Sequence, residues 1–142
     1  MVRVKQLLEA KGHEIWSVDA DVPVLGAIQI MADKHVGALP VMRDGELVGV
    51  LSERDYARKV VLLRRSSAET PVWQIMSSPV VTVTPEAAVR ECMQLMTEKR
   101  IRHLPVVENG RMVGMISIGD LVRAVIEEQD QTIEHLERFI AG

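Results

Sequence analysis

Cysteine, aromatic residues and long apolar runs are all scarce in this chain of 142 residues. The single cysteine, Cys92, excludes an internal disulfide and favours a reducing compartment. Phe, Trp and Tyr make up 3% of the residues, so aliphatic side chains and methionine must fill the core. No apolar run reaches the roughly 20 residues of a membrane-spanning helix. The first residues also lack the apolar stretch of a secretory signal. Together these absences predict a cytoplasmic protein.

Charge and reactive motifs narrow the function further. Seventeen basic and 20 acidic residues give a net charge of −3, which predicts neither nucleic acid nor membrane as a partner. The four histidines show no metal-ligand spacing, and no phosphate-binding loop or nucleophile motif is present. Cys92 lies in an apolar helical stripe, which predicts a role in the core. We therefore expect no metal, no catalytic cofactor and no enzymatic activity.

The chain contains an internal repeat. LPVMRDGELVGVLSERD, residues 39–55, is matched by LPVVENGRMVGMISIGD, residues 104–120. A constant offset of 65 positions aligns residues 17–60 with 82–125 without a gap, and 15 of the 44 aligned positions are identical. Average residue usage would give about three identities by chance. The two halves are therefore duplicates and should share one fold.

Each copy is predicted to open with a short strand followed by a helix. In the second copy, strand 80–83 precedes Thr84 and Pro85, which suit the N-cap and the first position of a helix. The helical stripe is then Val89, Cys92, Met93 and Met96. The corresponding features of the first copy are strand 15–18, the cap Asp19, Pro23 in the first helical turn, and the stripe Leu25, Ile28 and Met31.

A hairpin and a second helix complete each copy. Asp44-Gly45 and Asn109-Gly110 are strong signals for a two-residue hairpin turn. The strands predicted beside these turns include 47–52 in the first copy, and 104–107 and 112–117 in the second. The last helix is predicted to begin near Gly119 or Asp120. Both copies therefore read as β-α-β-β-α.

The predicted fold class is α+β. One copy is too small to bury both faces of its sheet, so we expect the two to pack about a pseudo-twofold axis and to form two related clefts. The expected domains are 1–66, the first repeat with an N-terminal helix; 67–76, a linker and short helix capped by Thr70; 77–126, the second repeat; and 127–142, a helical extension. The extension is predicted to be amphipathic, with an apolar side formed by Val122, Ile126, Ile133, Leu136 and Ile140.

The Leu-Pro-Val strand, the glycine turn, the glycine within the next strand and the closing Ser-x-x-Asp resemble the cystathionine-β-synthase (CBS) domain. The resemblance covers residues 15 to about 126, as a stand-alone tandem pair. It implies a regulatory or signal-transduction module that binds an adenine nucleotide such as AMP, ADP, ATP or NAD(H). It also implies a homodimer, in which the ligand changes the dimer arrangement or the contact with an unknown regulated protein.

The resemblance also implies which residues contact the nucleotide. Asp55 and Asp120 would hold the ribose hydroxyls, with Ser52 and Ser117 beside the ribose or phosphate. Arg102 and His103 would provide positive charge for phosphate in the second copy, and Arg54 in the first. The base would meet the first strands, at Ser17, Val18, Thr82 and Val83. The remaining contacts would come from Gly37, Ala38, Pro105 and Gly119.

Ser-x-x-Asp also has an explanation without a ligand. A serine and an acidic residue at this spacing are a near relative of the capping box, in which both side chains satisfy a helix start. A ligand-free dimeric scaffold is therefore an alternative function. A carboxylate can nevertheless accept a hydrogen bond from each of two ribose hydroxyls, and the duplication of the motif within matched hairpins favours the nucleotide.

Overall fold

The structure of this protein is a computed structural model that describes residues 1–12 and 14–141. The chain forms two compact units. We call Ile15–Val81 the first-repeat unit, and Met1–Glu14 with Thr82–Gly142 the second-repeat unit. In chain order, the elements are α1 (Val4–Lys11), β1 (Val18–Asp19), α2 (Val24–Lys34), β2 (Ala38–Arg43), β3 (Glu46–Ser52), α3 (Glu53–Tyr56), a π-helical turn (Ala57–Val61), a 3-10 turn (Val72–Gln74), α4 (Val89–Lys99), β4 (His103–Glu108), β5 (Arg111–Ser117) and α5 (Ile118–Ala141).

Both units are built around the predicted hairpin. Strands β2 and β3 are antiparallel, as are β4 and β5, and β1 joins β2 as a parallel neighbour. The Asp44-Gly45 turn has positive φ values of 51° and 79° at its two residues, and Asn109-Gly110 repeats this with 53° and 76°. A two-residue turn of this kind needs positive φ at both positions, which Asn, Asp and Gly tolerate best. The predicted turns and the α+β class are confirmed.

The predicted start of the first helix in each copy is wrong by about four residues. Helix α2 begins at Val24 with Pro23 as N-cap, so neither Asp19 nor a proline inside the first turn starts it. Helix α4 begins at Val89 after Ala88, so Thr84 and Pro85 lie outside the helix. The side chain of Asp19 instead accepts a hydrogen bond from the Asp21 amide at 2.9 Å. That local turn uses the capping chemistry of Asp19 before the helix begins.

Tertiary backbone pairing explains the delay. The amide of Val24 donates to the Thr70 carbonyl at 2.8 Å, and the Val72 amide donates to the Val22 carbonyl at 2.9 Å. This exchange holds the chain before α2 in an extended conformation, so the helix starts only after it. Thr70 therefore does not cap the short helix as predicted, because the N-cap there is Pro71.

Two further predictions about the first elements are corrected. The predicted strand 15–18 is reduced to Val18–Asp19, and the predicted strand 80–83 to one bridge, between Val83 and Val106. The apolar stripe of α2 is rotated, because Leu25 is 42% exposed. The buried side chains of α2 are Val24, Ala27 and Met31. The stripe of α4 is confirmed, with Val89, Cys92 and Met96 buried and Met93 partly buried.

The segment before each repeat packs against the other repeat. In the second-repeat unit, the Val4 amide donates to the Ala87 carbonyl at 2.9 Å, and the Val89 amide donates to the Val2 carbonyl at 3.0 Å. This is the same exchange that the linker residues make in the first-repeat unit. Helix α1 contacts β5 and α5, and Leu8 fills the space beside Gly114. In sequence, α1 precedes the first repeat, but in space it completes the second.

Candidate functional site

Ser52 and Asp55 form a reciprocal pair at the start of α3. The Asp55 amide donates to Ser52 Oγ at 3.1 Å, while the Ser52 amide and hydroxyl both donate to Asp55 Oδ2 at 3.0 Å. Ser77 Oγ adds a hydrogen bond to Oδ1 at 3.2 Å, and Lys59 Nζ lies 3.2 Å from the same oxygen. The Asp55 side chain is only 12% exposed, so both of its oxygens are occupied by groups of its own unit.

Asp120 occupies the matching position at the start of α5. The Ser117 amide donates to Asp120 Oδ2 at 2.8 Å, and the Asp120 amide donates to Ser117 Oγ at 3.2 Å. Lys11 Nζ reaches Oδ2 at 2.7 Å and also donates to the Met115 carbonyl at 2.9 Å. On Oδ1, the recorded partner is the Arg123 guanidinium at 3.8 Å, which is too long for a hydrogen bond. Among the residues that the structure describes, one oxygen of Asp120 therefore keeps acceptor capacity that Asp55 lacks.

The surroundings of Asp120 favour its ionised form. Burial alone would raise its pKa, but the hydrogen bond and charge of Lys11, together with the hydrogen bonds from Ser117, hold the pKa below its ordinary value. The side chain is 13% exposed. Asp120 is therefore an ionised carboxylate at neutral pH, at the start of a helix whose dipole also favours negative charge.

His103 lies close enough to this carboxylate to feel its charge, and Arg102 precedes it in the chain. His103 is the cross-strand partner of Ser117 at the end of the hairpin, and the Arg102 carbonyl accepts a hydrogen bond from the Ile118 amide at 2.9 Å. Burial and the positive charge of Lys11 lower the pKa of His103, an effect that the charge of Asp120 partly offsets. The imidazole is therefore mostly neutral at pH 7 and can donate or accept a hydrogen bond.

The equivalent positions of the first repeat carry less charge. Ala38 pairs with Ser52 across the hairpin, and the Gly37 carbonyl accepts from the Glu53 amide at 3.0 Å. Arg54 is exposed next to Asp55, and Gly119 takes the same place, also exposed, next to Asp120. The two carboxylates thus share one backbone frame with different cationic groups around it.

The residues predicted to meet the base lie at the beginning of each repeat, at β1 in the first and around the Val83 bridge in the second. Val18 is buried and pairs with Val41, and Ser17 precedes it as an exposed residue. In the second repeat, Thr82 is exposed, and the Val83 amide donates to the carbonyl of buried Pro105 at 3.1 Å. The valines therefore have structural roles in their own sheets, while Ser17 and Thr82 have side chains accessible to a ligand.

Sequence reasoning missed three partners of the carboxylates. Lys59 lies four residues after Asp55 on the same helical segment, and opposite charges at this spacing commonly form an ion pair. The sequence therefore did contain a signal for this contact. Ser77 is 22 residues from Asp55, and Lys11 is 109 residues from Asp120. These two contacts arise from the exchange of segments between the repeats, for which the sequence carries no local signal.

The structure offers neither a metal site nor a membrane-spanning helix among the residues it describes. His13 lies outside the described residues, and within those described no group of three His, Cys, Asp or Glu side chains could hold a metal ion. None of the helices in the described part of the chain has both the length and the apolar character needed to cross a bilayer. Cys92 is fully buried, and burial together with the charge of Glu91 raises the pKa of its thiol to about 11.

Comparison with known proteins gives a consistent family. The family profile described as "CBS domain" matches residues 5–62 and 72–127. The mitochondrial CBS domain-containing protein CBSX3 of Arabidopsis thaliana is 44% identical over 138 residues, which is 94% of this chain and 66% of that protein. This chain therefore spans slightly less than two thirds of that relative.

Solved structures match over nearly their whole length. A protein with CBS domains from Burkholderia ambifaria MC40-6, whose name suggests a role in signal transduction, is 48% identical with a TM-score of 0.87. The match covers 90% of this chain and 96% of that structure. The CBS domain structure NE2398 is 45% identical with a TM-score of 0.84, over 88% of this chain and 98% of its own.

Proposed function

Because this chain belongs to the CBS domain family as a tandem pair, we propose that it is a non-catalytic regulatory protein that binds an adenine nucleotide through Asp120 and Asp55. Regulation rather than catalysis is the general role of such pairs. The observation that carries the proposal is the Asp120 site. There, an ionised carboxylate with one oxygen open to further hydrogen bonds lies near His103, Arg123 and Lys11.

The chemistry of a nucleotide fits this group. Two adjacent ribose hydroxyls can donate to one carboxylate, and hydrogen bonds to a charged acceptor are the stronger class. Lys11, whose side chain is 43% exposed, can leave Asp120 for a phosphate oxygen. Arg102 and His103 add further donors, and Thr82 with Val83 would line the base. AMP, ADP, ATP and NAD(H) all carry the base, ribose and phosphate that these residues would contact, so they form the proposed ligand class.

The two sites should bind with different affinity. In the first repeat, ribose would have to displace Ser77 or Lys59 from Asp55, because both carboxylate oxygens already accept hydrogen bonds or contact a cation. At Asp120, Oδ1 is open in the described part of the chain. We therefore assign the tighter site to the second repeat. Ser17, Val18, Gly37, Ala38 and Arg54 would contribute to the weaker one.

A ligand-free scaffold remains the second candidate, and one observation favours it. The hydrogen bonds of Ser52 with Asp55 form both halves of a capping box, an arrangement that needs no ligand. In that case the duplicated motif serves folding alone. A homodimer, a cytoplasmic location and a regulated protein partner are proposals under either function.

The test compares Asp120→Asn and Asp55→Asn with the unchanged protein in calorimetric titrations with AMP, ADP, ATP and NAD(H). Loss of a hydrogen bond to a charged group predicts binding about 10- to 100-fold weaker at the altered site. Asp33→Asn, at an exposed position of α2, is the control for a charge change alone. The nucleotide should also raise the melting temperature of the unchanged protein. If no nucleotide binds, or if both variants keep full affinity, the proposal is refuted and the scaffold stands.

A further inference from the structure

Helix α5 extends far beyond the second repeat and presents apolar side chains to solvent. Only its first turns pack, through the buried Leu121 and Ala124, and residues 130–141 are all exposed. Ile133 is 52% exposed, Leu136 54% and Ile140 83%. Large aliphatic residues in a row along an exposed helix are unfavourable in water, so this surface is expected to be covered in the functional protein.

The exposed apolar positions follow the spacing of a coiled coil. From Val122, the positions advance alternately by four and three residues: Val122, Ile126, Gln129, Ile133, Leu136 and Ile140. This is a period of 3.5 residues, which keeps one seam of a helix facing a neighbouring helix. Five of the six positions are aliphatic. The seam is also rotated by about a third of a turn from the buried side formed by Leu121 and Ala124, at 100° per residue, so packing on the second repeat leaves it free.

We propose that α5 forms an antiparallel coiled coil with α5 of a second copy of this chain. A twofold-symmetric pair places the same surface of each copy against the other. With Ile126 aligned to the partner's Leu136, Ile133 faces the partner's Gln129 and Val122 faces the partner's Ile140. This assignment does not depend on nucleotide binding.

Charge complementarity selects the partner and its direction. In the antiparallel alignment, Arg123 and the partner's Glu137 flank the seam together, and symmetry repeats the pair at the other end. A parallel alignment would place Asp130 and Glu137 beside the uncharged Val125 and Thr132 of the partner, and it would make no such pair. Charges beside the seam commonly set the orientation of a coiled coil.

The same alignment predicts one unfavourable contact. Asp130 lies beside the seam at its centre, so it meets the partner's Asp130 across the twofold axis. Like charges at such positions weaken association. Asp130→Asn should therefore tighten an antiparallel dimer, whereas a parallel pair, in which these residues lie on opposite sides of the seam, should be indifferent to it.

The first experiment measures the mass of the full chain by sedimentation equilibrium over a range of concentrations. The unchanged protein should be dimeric, and Ile133→Glu with Leu136→Glu should make it monomeric with unchanged circular dichroism. Glu134→Arg, on the outer side of the same helix, is the matched control and should leave the dimer intact. A monomeric unchanged protein, or a dimer that survives the double substitution, would overturn the proposal.

The second experiment tests direction. Glu137→Arg should weaken the dimer about tenfold, because two weak attractions become repulsions, and adding Arg123→Glu should restore it. Asp130→Cys should form a disulfide between copies, and Leu136→Cys should not. The native Cys92 is buried and has a pKa near 11, so it should not compete. Failure of the rescue, or cross-linking through Leu136→Cys alone, would refute the antiparallel pairing.

Discussion

Replacing Lys11 by methionine tests the contact that joins α1 to Asp120. The substitution removes the 2.7 Å contact to Asp120 Oδ2 and the hydrogen bond to the Met115 carbonyl, and it keeps most of the apolar stem. A hydrogen bond to a charged group contributes about 1.5–3 kcal/mol, and an exposed ion pair about 0.2–1 kcal/mol. Lys11 is 43% exposed and Asp120 13%. Solvent screening of Lys11 brings the expected loss in unfolding free energy to about 1 kcal/mol.

The loss should depend on pH in a defined direction. The folded state holds the pKa of Asp120 below its ordinary value, partly through Lys11. A carboxyl group of this kind stabilises the fold above its unfolded pKa of about 3.9, and this contribution disappears as the pH falls through the lower, folded pKa. The difference between the unchanged protein and Lys11→Met should therefore be full at pH 7 and shrink below pH 4.

Urea denaturation of four proteins gives the required measurement. The unchanged chain, Lys11→Met, Asp120→Asn and the double variant form a cycle that isolates the interaction between the two side chains. We expect an interaction energy of about 0.5–1.5 kcal/mol at pH 7. A value within about 0.3 kcal/mol of zero would show that Lys11 and Asp120 do not cooperate in the folded protein.

Two other predictions concern stability. Gly114→Ala should lower the unfolding free energy by about 1–3 kcal/mol, because the added carbon would lie 2.5 Å from the Leu8 side chain. Gly26→Ala has open space around it in α2, so it should be neutral or stabilising. Thermal denaturation of both variants measures the difference. Because the fold lowers the pKa of His103, the unfolded state binds more protons near pH 6, so stability should fall as the pH drops from 7 to 5. His103→Gln should flatten that slope, and an unchanged slope would remove His103 as its cause.

Predictions from the sequence were correct where the structure depends on residues that are close together in the chain. The turns at Asp44-Gly45 and Asn109-Gly110 were predicted from residue type, because positive φ is a property of those residues and needs no distant partner. The stripe of α4 and the amphipathic α5 followed from the helical period for the same reason. The Ser-x-x-Asp pairs also formed within their own helix starts.

Signals failed where distant backbone groups competed with local ones. Thr84 and Asp19 are good caps, yet the helices begin later, because the residues just before the helices pair with the backbone of Val4 and Val72 instead. Leu25 fits a helical stripe, but the packing of α2 in its unit buries Val24, Ala27 and Met31 instead. The periodicity was right and its phase was wrong.

The sequence by itself determined the duplication, the hairpins, the α+β class and the two Ser-x-x-Asp helix starts, since each is written in residues close together or repeated at one offset. Only the tertiary structure decided that the segment before each repeat packs on the other repeat. It thereby brought Lys11 to Asp120 and Ser77 to Asp55. The physical reason is that backbone pairing and ion pairs between distant segments depend on which surfaces meet, and many pairings are compatible with one local pattern.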